Sequence, residues 1–188
     1  NGGNDYNFIL SSFNNPLITI ANQNDLYNRN YTKEIIDIYK KNKNASIIFT
    51  DNYEIDNDKK INSNRKLCLK RKLCFPLKYS FFQDKIFFKL LPLKYINAIC
   101  SSSVTYIKNN ISKNLFSISY KYYYDWDGFI NLAKNNSRFV YLNKKLVGYR
   151  LNNEKMTKEK EAEIKVIYKE FYKEKKVTRL MKRYINYY

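Results

Sequence analysis

The chain has 188 residues, a formal net charge of +18 and 44% hydrophobic residues, but not one histidine. Without histidine, His-containing zinc sites, Ser-His-Asp chemistry and histidine general bases are excluded. The length suits one compact domain or a large piece of one, 19 Tyr and 12 Phe can build its core, and four Gly with three Pro exclude a collagenous or linker-like chain.

Residues 5 to 13, DYNFILSSF, place Phe8, Ile9 and Phe13 on one side at helical spacing. Pro16 closes that segment, and LITIA reads as a buried strand. TKEIIDIYKKNKN predicts a helix capped by Thr32, with Glu34 early, an apolar stripe of Ile35, Ile36 and Tyr39, and lysines at the end that suits them. ASIIFT reads as a second buried strand, and DNYEIDNDKKIN as an extended segment that turns at Asn57-Asp58. Between Asn62 and Leu93 no single period holds, and RKLCLKRKLCFPLKYSFF interleaves basic and apolar residues around Pro76. CSSSVTYI, from Cys100, alternates as a strand does, and NNISKNLF predicts a short helix. DWDGFINLAKNN predicts a helix from Asp125 with Phe129, Leu132 and Ala133 inward. RFVYLN and LVGYRL are two short β-type runs split by Asn143-Lys144-Lys145. From Thr157 to Tyr188 one long helical pattern carries Ile164, Ile167, Tyr168, Phe171 and Tyr172 on a single face. Strand and helix alternate, so the expected class is α/β, with a domain over 1–156 and an amphipathic helical tail over 157–188.

The charge has two readings. A strongly basic protein suits nucleic acid, anionic lipid or phosphorylated substrates. Alternatively, abundant Asn, Lys, Ile and Tyr beside scarce Gly, Pro and Ala is the drift of an AT-rich genome. The three cysteines form no CxxC pair and read as idle thiols of a reducing cytosol. Runs such as SIIFT and IFFKLLPL fall short of the roughly 20 residues a membrane span needs. No signal peptide is read in NGGNDYNF, and the missing initiator Met suggests an upstream segment.

Two groups could carry chemistry: Asn22-Gln23-Asn24-Asp25 after a strand, and Asp125-Trp126-Asp127 at a helix start. A carboxylate at a strand end can hold Mg²⁺ or Mn²⁺ while water and phosphate oxygens complete the shell. A second carboxylate can take the proton of an attacking hydroxyl. Asp125 serves equally well as a helix cap.

Gly3, Asn7 and Phe8 match an N-x-G-x-x-x-N-F segment in part, and ANQNDLYN resembles a D-Q-D-D-x-W box with Gln23 and Asp25 in place and Tyr27 for the aromatic. IIFTDNYEID, with Asp51 and Asp56, resembles a D-n-y-x-i-D stretch. Tyr124-Asp125-Trp126 stands where H-D-W is usual, and Leu146 to Arg150 resembles L-v-x-Y-R. In this order the motifs resemble the family 2 glycosyltransferases of the GT-A fold, particularly rhamnosyltransferase-like enzymes of bacterial surface-polysaccharide synthesis. The resemblance implies a GT-A-like, Rossmann-related mixed sheet flanked by helices, whose first strand and base-binding acids lie outside these 188 residues.

It also implies transfer of a sugar from a UDP- or dTDP-sugar to a hydroxyl of a glycan or lipid-linked glycan, with inversion. Asp25, Asn24 and Asn22 would stand at the Mn²⁺ or Mg²⁺ site, and Asp125 would be the base. Gln23, Trp126, Asp127, Arg150 and Asn152 would bind donor or acceptor. Asn22 and Asn24 replace carboxylates, and amides are poorer ligands for a hard cation. Tyr124 and Asn152 stand where histidines are common. A catalytically inactive relative is therefore the second expectation. The basic, aromatic end TRLMKRYINYY suits peripheral attachment to the inner face of the plasma membrane, or packing on the domain itself. Nucleic acid, suggested by the charge and by KRKLCFPLKYSFF, is not the expected partner, since no RNA-binding aromatic signature or helix-turn-helix accompanies it.

Overall fold

The computed structural model describes residues 2–56, 59–61, 63–151, 156–173, 176, 179 and 181. In chain order they form α1 (Gly2–Ser12), β1 (Leu17–Thr19), β2 (Leu26–Tyr27), α2 (Tyr31–Lys41), β3 (Ala45–Asp56) and β4 (Lys59–Ile61). There follow α3 (Arg65–Cys74), two short 3-10 turns (Phe75–Lys78 and Ser80–Phe82), α4 (Ile86–Lys94) and a 3-10 turn (Ser101–Ser103) leading into β5 (Val104–Ile107). A further turn (Lys108–Asn110), α5 (Tyr124–Ala133), β6 (Arg138–Arg150) and α6 (Lys158–Lys169) complete the order.

The sheet runs β1-β5-β3-β6-β2, with β4 folded back on β3. β3 and β6 are parallel, whereas β5 is antiparallel to both β1 and β3. The carboxyl ends of β1, β3 and β6 therefore emerge at one edge. Apolar residues fill both faces, as a central strand requires. Ile47 and Phe49 of β3 join Phe139 and Tyr141 of β6 in the main core, while Ile48 and Val140 meet Tyr31 and Ile35 of α2. The α/β alternation of the sequence is thus present as a mixed sheet with helices.

Several expectations are corrected. The two runs around Asn143 are one strand: Leu142 pairs with Thr50 and Lys145 with Asp51, so Asn143 and Lys144 form a bulge inside β6. NNISKNLF is no helix, because the Asn110 side chain donates to the carbonyls of Lys43 (2.7 Å) and Ala45 (2.6 Å) instead of continuing a turn. In α1 Gly3, Tyr6, Asn7, Ile9 and Leu10 face inward, whereas Phe8 is 70% exposed and Phe13, just beyond the helix, is exposed too. Gly3 decides this orientation, since a Cβ there would lie 2.6 Å from the Ser117 carbonyl oxygen. The Asn7 amide pairs with both backbone groups of Phe116, donating to its O (2.7 Å) and accepting from its N–H (2.9 Å). In α2 the cap is Asn30, and Ile36 faces outward while Tyr31 and Ile35 are buried.

The tail divides. α6 buries Ile164, Ile167 and Tyr168 completely against Trp126, and the Tyr168 hydroxyl donates to the Tyr95 carbonyl at 2.6 Å. This stretch therefore packs on the domain's own surface. The predicted single helix stops at Lys169, where the chain turns and brings the Tyr172 ring beside Tyr95. Most of TRLMKRYINYY lies outside the described residues, as does Asn152. Among the described residues no helix is long and apolar enough to cross a membrane.

Candidate functional site

A half-open cleft of about 250 Å³ lies at the sheet edge where β3 and β6 end. Ligands favour this edge of an open α/β sheet because loops there can diverge around them. β3 contributes Asn52 and Glu54, α3 contributes Lys66 and Lys70, and the segment before β5 contributes Asn97 and Cys100. Tyr149 of β6, Asp125 of α5, Ser101, Tyr122 and Tyr123 line it as well. Lys66 and Lys70 stand one helical turn apart, so both reach the same space.

Asp125 is the second residue of α5, whose cap position is Tyr123. Its Oδ1 accepts the Trp126 N–H at 2.7 Å, and its Oδ2 accepts the Asn97 amide at 3.1 Å. Burial pushes its carboxyl up to about 6, against the opposing pull of the Trp126 N–H, the Lys70 charge and Asn97. Such a group is mostly ionised at pH 7, yet basic enough to accept a proton. The Asn97 Oδ1 beside it is buried and has no hydrogen-bond partner among the described residues.

Neighbouring groups respond to the same environment. Burial and the Lys70 charge lower Lys66 to about 8, although Glu54 pulls the other way. The Cys100 thiol is pushed up to about 11, mainly by burial, which leaves it an inert wall at neutral pH. Tyr149 is raised to about 12 by burial and by Cys100, with smaller contributions from Asp25 and Asp125. Both carboxylates therefore lie within electrostatic reach of this one phenol.

Asn22 to Asp25 are not part of the cleft's lining and meet it through Ser102, the neighbour of the lining residue Ser101. The Asn22 amide donates to Ser102 Oγ (2.7 Å) and to Asp25 Oδ2 (3.4 Å), and its oxygen accepts the Tyr6 hydroxyl (3.4 Å). Tyr27 donates to the Ser102 carbonyl at 2.5 Å. Arg150 gives its backbone N–H to Asp25 Oδ1 (2.9 Å) and its Nε–H to the Asn24 carbonyl (3.2 Å). Arg150 thus joins Asn22, Asn24 and Asp25, 125 positions from Asp25 in sequence, in one cluster.

That cluster does not fit a resident Mg²⁺ or Mn²⁺. Among the described residues Asp25 is its only carboxylate, one of its oxygens is bonded to Arg150 and the other to Asn22, and the Asn22 oxygen faces Tyr6. A hard cation prefers several oxygens, carboxylates above all. Among the described residues no group of three or more His, Cys, Asp or Glu gathers in a way that could hold a metal.

The remaining expected residues disperse. Gln23 is exposed beside the cluster. Trp126 is fully buried in the core, its indole N–H donating to the Leu93 carbonyl at 2.8 Å, so it presents no surface to an acceptor. Asp127 accepts from Asn131 (3.1 Å) and lines a separate hollow beside Glu163, where burial and Glu170 push it up to about 6. Asp51 is buried and holds Arg71 through both oxygens. Lys66, Lys70, Asn97 and Tyr149 were missed by sequence reasoning. The Lys66–Lys70 spacing was a usable signal, hidden among Arg65, Arg71 and Lys72.

No protein-family model matches the chain, and no curated protein matches it either.

Proposed function

We propose that the chain is the catalytic part of a GT-A-type glycosyltransferase. It moves a sugar from a UDP- or dTDP-sugar to a hydroxyl of a surface glycan or lipid-linked glycan, with inversion. The observation that carries this reading is Asp125: a carboxyl raised to about 6, steadied by Asn97, in a cleft that also holds Lys66 and Lys70. The order of the motifs along the chain, and the meeting of Asp25 with Arg150, support it.

Asp125 accepts the proton of the acceptor hydroxyl as the hydroxyl oxygen bonds to the anomeric carbon. The bond from that carbon to the diphosphate oxygen breaks from the opposite side, and the nucleoside diphosphate leaves with its electron pair. Lys66 and Lys70 offset the charge that develops on it, a task suited to preorganised cations in a partly desolvated cleft. Arg150 lies beside the loop that follows β1 and closes the phosphate side.

A second reading, an inactive scaffold that binds the same ligands, is favoured by one observation: the polar atoms of Asn22 and Asp25 are engaged within the protein. Calorimetric titration of UDP and dTDP, with Mn²⁺ or with a chelator, followed by assay of Asp125→Asn separates the two. Binding in both media, with turnover lost in Asp125→Asn, supports the transferase. Binding without wild-type turnover supports the scaffold, and turnover that survives in Asp125→Asn removes the proposed base.

A further inference from the structure

The surface made by α3, α4 and the turns between them differs from the rest of the exterior. Phe81 and Phe87 are 73% and 68% exposed, and Leu69, Phe75, Tyr79 and Ile86 are exposed around them. The rings form a continuous row: Phe81 meets Phe82 at 5.2 Å, Phe82 meets Phe88 at 4.3 Å, and Phe88 meets Phe87 at 5.2 Å. Phe75 packs on Tyr79 at 5.6 Å beside them. Single exposed apolar side chains are ordinary, but a cluster of this kind marks a contact surface.

The charge of the same segment selects the partner. From Arg65 to Lys94 the sequence has nine Lys or Arg and one acidic residue, Asp84, which pairs with Lys85 at 3.7 Å. Lys66 and Lys70 line the cleft, Arg71 holds Asp51 and Lys89 is buried, which leaves Arg65, Lys72, Lys78, Lys85 and Lys94 for the outer face. Lys78 lies 5.9 Å from the Phe75 ring and 5.8 Å from Tyr79, and Lys85 lies 5.9 Å from Phe81. Exposed aromatics with lysines among them match the boundary between lipid headgroups and acyl chains, where rings insert and ammonium groups meet phosphates. Aliphatic Leu69 and Ile86 gain from acyl contact and offer nothing to a nucleic-acid base. The Phe81–Phe82 and Phe87–Phe88 pairs, at 80° and 88°, also pack edge to face and do not form an open stacking platform.

We propose that this face rests on an anionic membrane surface, with Phe81 and Phe87 inserted and Lys78 and Lys85 on lipid phosphates. The proposal holds whatever chemistry the cleft performs. Helix α3 also sends Lys66 and Lys70 into the cleft, so the membrane contact and the cleft share one element.

The test is cosedimentation of the full chain with vesicles of equimolar phosphatidylglycerol and phosphatidylcholine, beside vesicles of phosphatidylcholine alone. The wild type is expected to prefer the anionic vesicles. Phe81→Ser with Phe87→Ser lowers the affinity roughly tenfold or more, with circular dichroism unchanged. Lys78→Gln with Lys85→Gln reduces the preference for the anionic lipid. Absence of vesicle binding overturns the proposal. So does binding untouched by the phenylalanine pair, or binding lost instead in Tyr187→Ser with Tyr188→Ser. Equal affinity for an oligonucleotide, abolished by salt to the same degree, identifies a polyanion site instead. A dimer that the phenylalanine variant dissolves identifies a second copy as the occupant.

Discussion

Asp51, buried, and Asp125, partly buried in the wall of the cleft, lie near the same sheet edge and are treated in opposite ways. Asp51 has both oxygens on the Arg71 Nε–H (3.0 and 2.8 Å), and the same guanidinium reaches the Asn52 carbonyl at 2.9 Å. Its charge is fully met, and it ties α3 to β3. Asp125 has neutral hydrogen-bond donors, one amide and one backbone N–H, with Lys70 acting at longer range. One carboxylate is tied into an ion pair between two elements; the other faces the cleft with its charge unpaired by any contacting cation among the described residues. Cost to the fold, offset at the first site and left standing at the second, separates architecture from chemistry.

The largest effect that could break this contrast is catalytic. Asp125→Asn is expected to lower turnover by roughly 10² to 10⁴-fold, read against a nucleotide-sugar donor, while raising the thermal midpoint by roughly a few degrees. The sign follows from linkage. Burial lifts the group from 3.8 to about 6, so the native state holds the proton more tightly than the unfolded chain. The contribution of this one group to stability is therefore fullest below pH 4 and is lost as pH rises from there through 6. The asparagine removes that loss. Activity should follow the reverse course, rising through about pH 6 to a plateau. A midpoint that drops in Asp125→Asn would place Asp125 with Asp51 as a structural group.

Next in size, Arg71→Met leaves a buried charge without its partner and should lower the unfolding free energy in urea by about 3–5 kcal/mol. A loss under about 1 kcal/mol, the range of surface pairs, would mean that Asp51 is not held as described. Asn7→Ala strands both backbone groups of Phe116 and should cost about 1–3 kcal/mol, measured the same way, with donor binding unchanged. The smallest effect sharpens the cleft side. Lys66→Gln with Lys70→Gln should weaken UDP binding roughly tenfold, about 1.4 kcal/mol, with little change in stability.

Sequence periodicity made α2, α5, β3 and β5 legible because their apolar spacing is itself the cause of their burial. It misplaced the face of α1, since what turns Phe8 outward is a carbonyl at Ser117 that no local window contains. The bulge in β6 was illegible for the same reason: it exists only against β3. At the site, the chemical type of Asp125 could be read, but its neighbours could not be carried with it. Adjacent residues on a helix diverge by about 100°, so Asp125, Trp126 and Asp127 face the cleft, the core and a separate hollow respectively. Lys66 and Lys70 were obscured by abundance: where basic residues are everywhere, which of them converge depends on the fold.

The amide clip between Asn7 and Phe116 joins residues 109 positions apart. On a ribosome, where roughly 5–20 residues are added each second, α1 waits on the order of five to twenty seconds before its partner exists. During that interval Tyr6 and Leu10 have no core to enter. Helix α1 is therefore the first described element to be synthesised, and its docking reports that the chain has been made past Phe116.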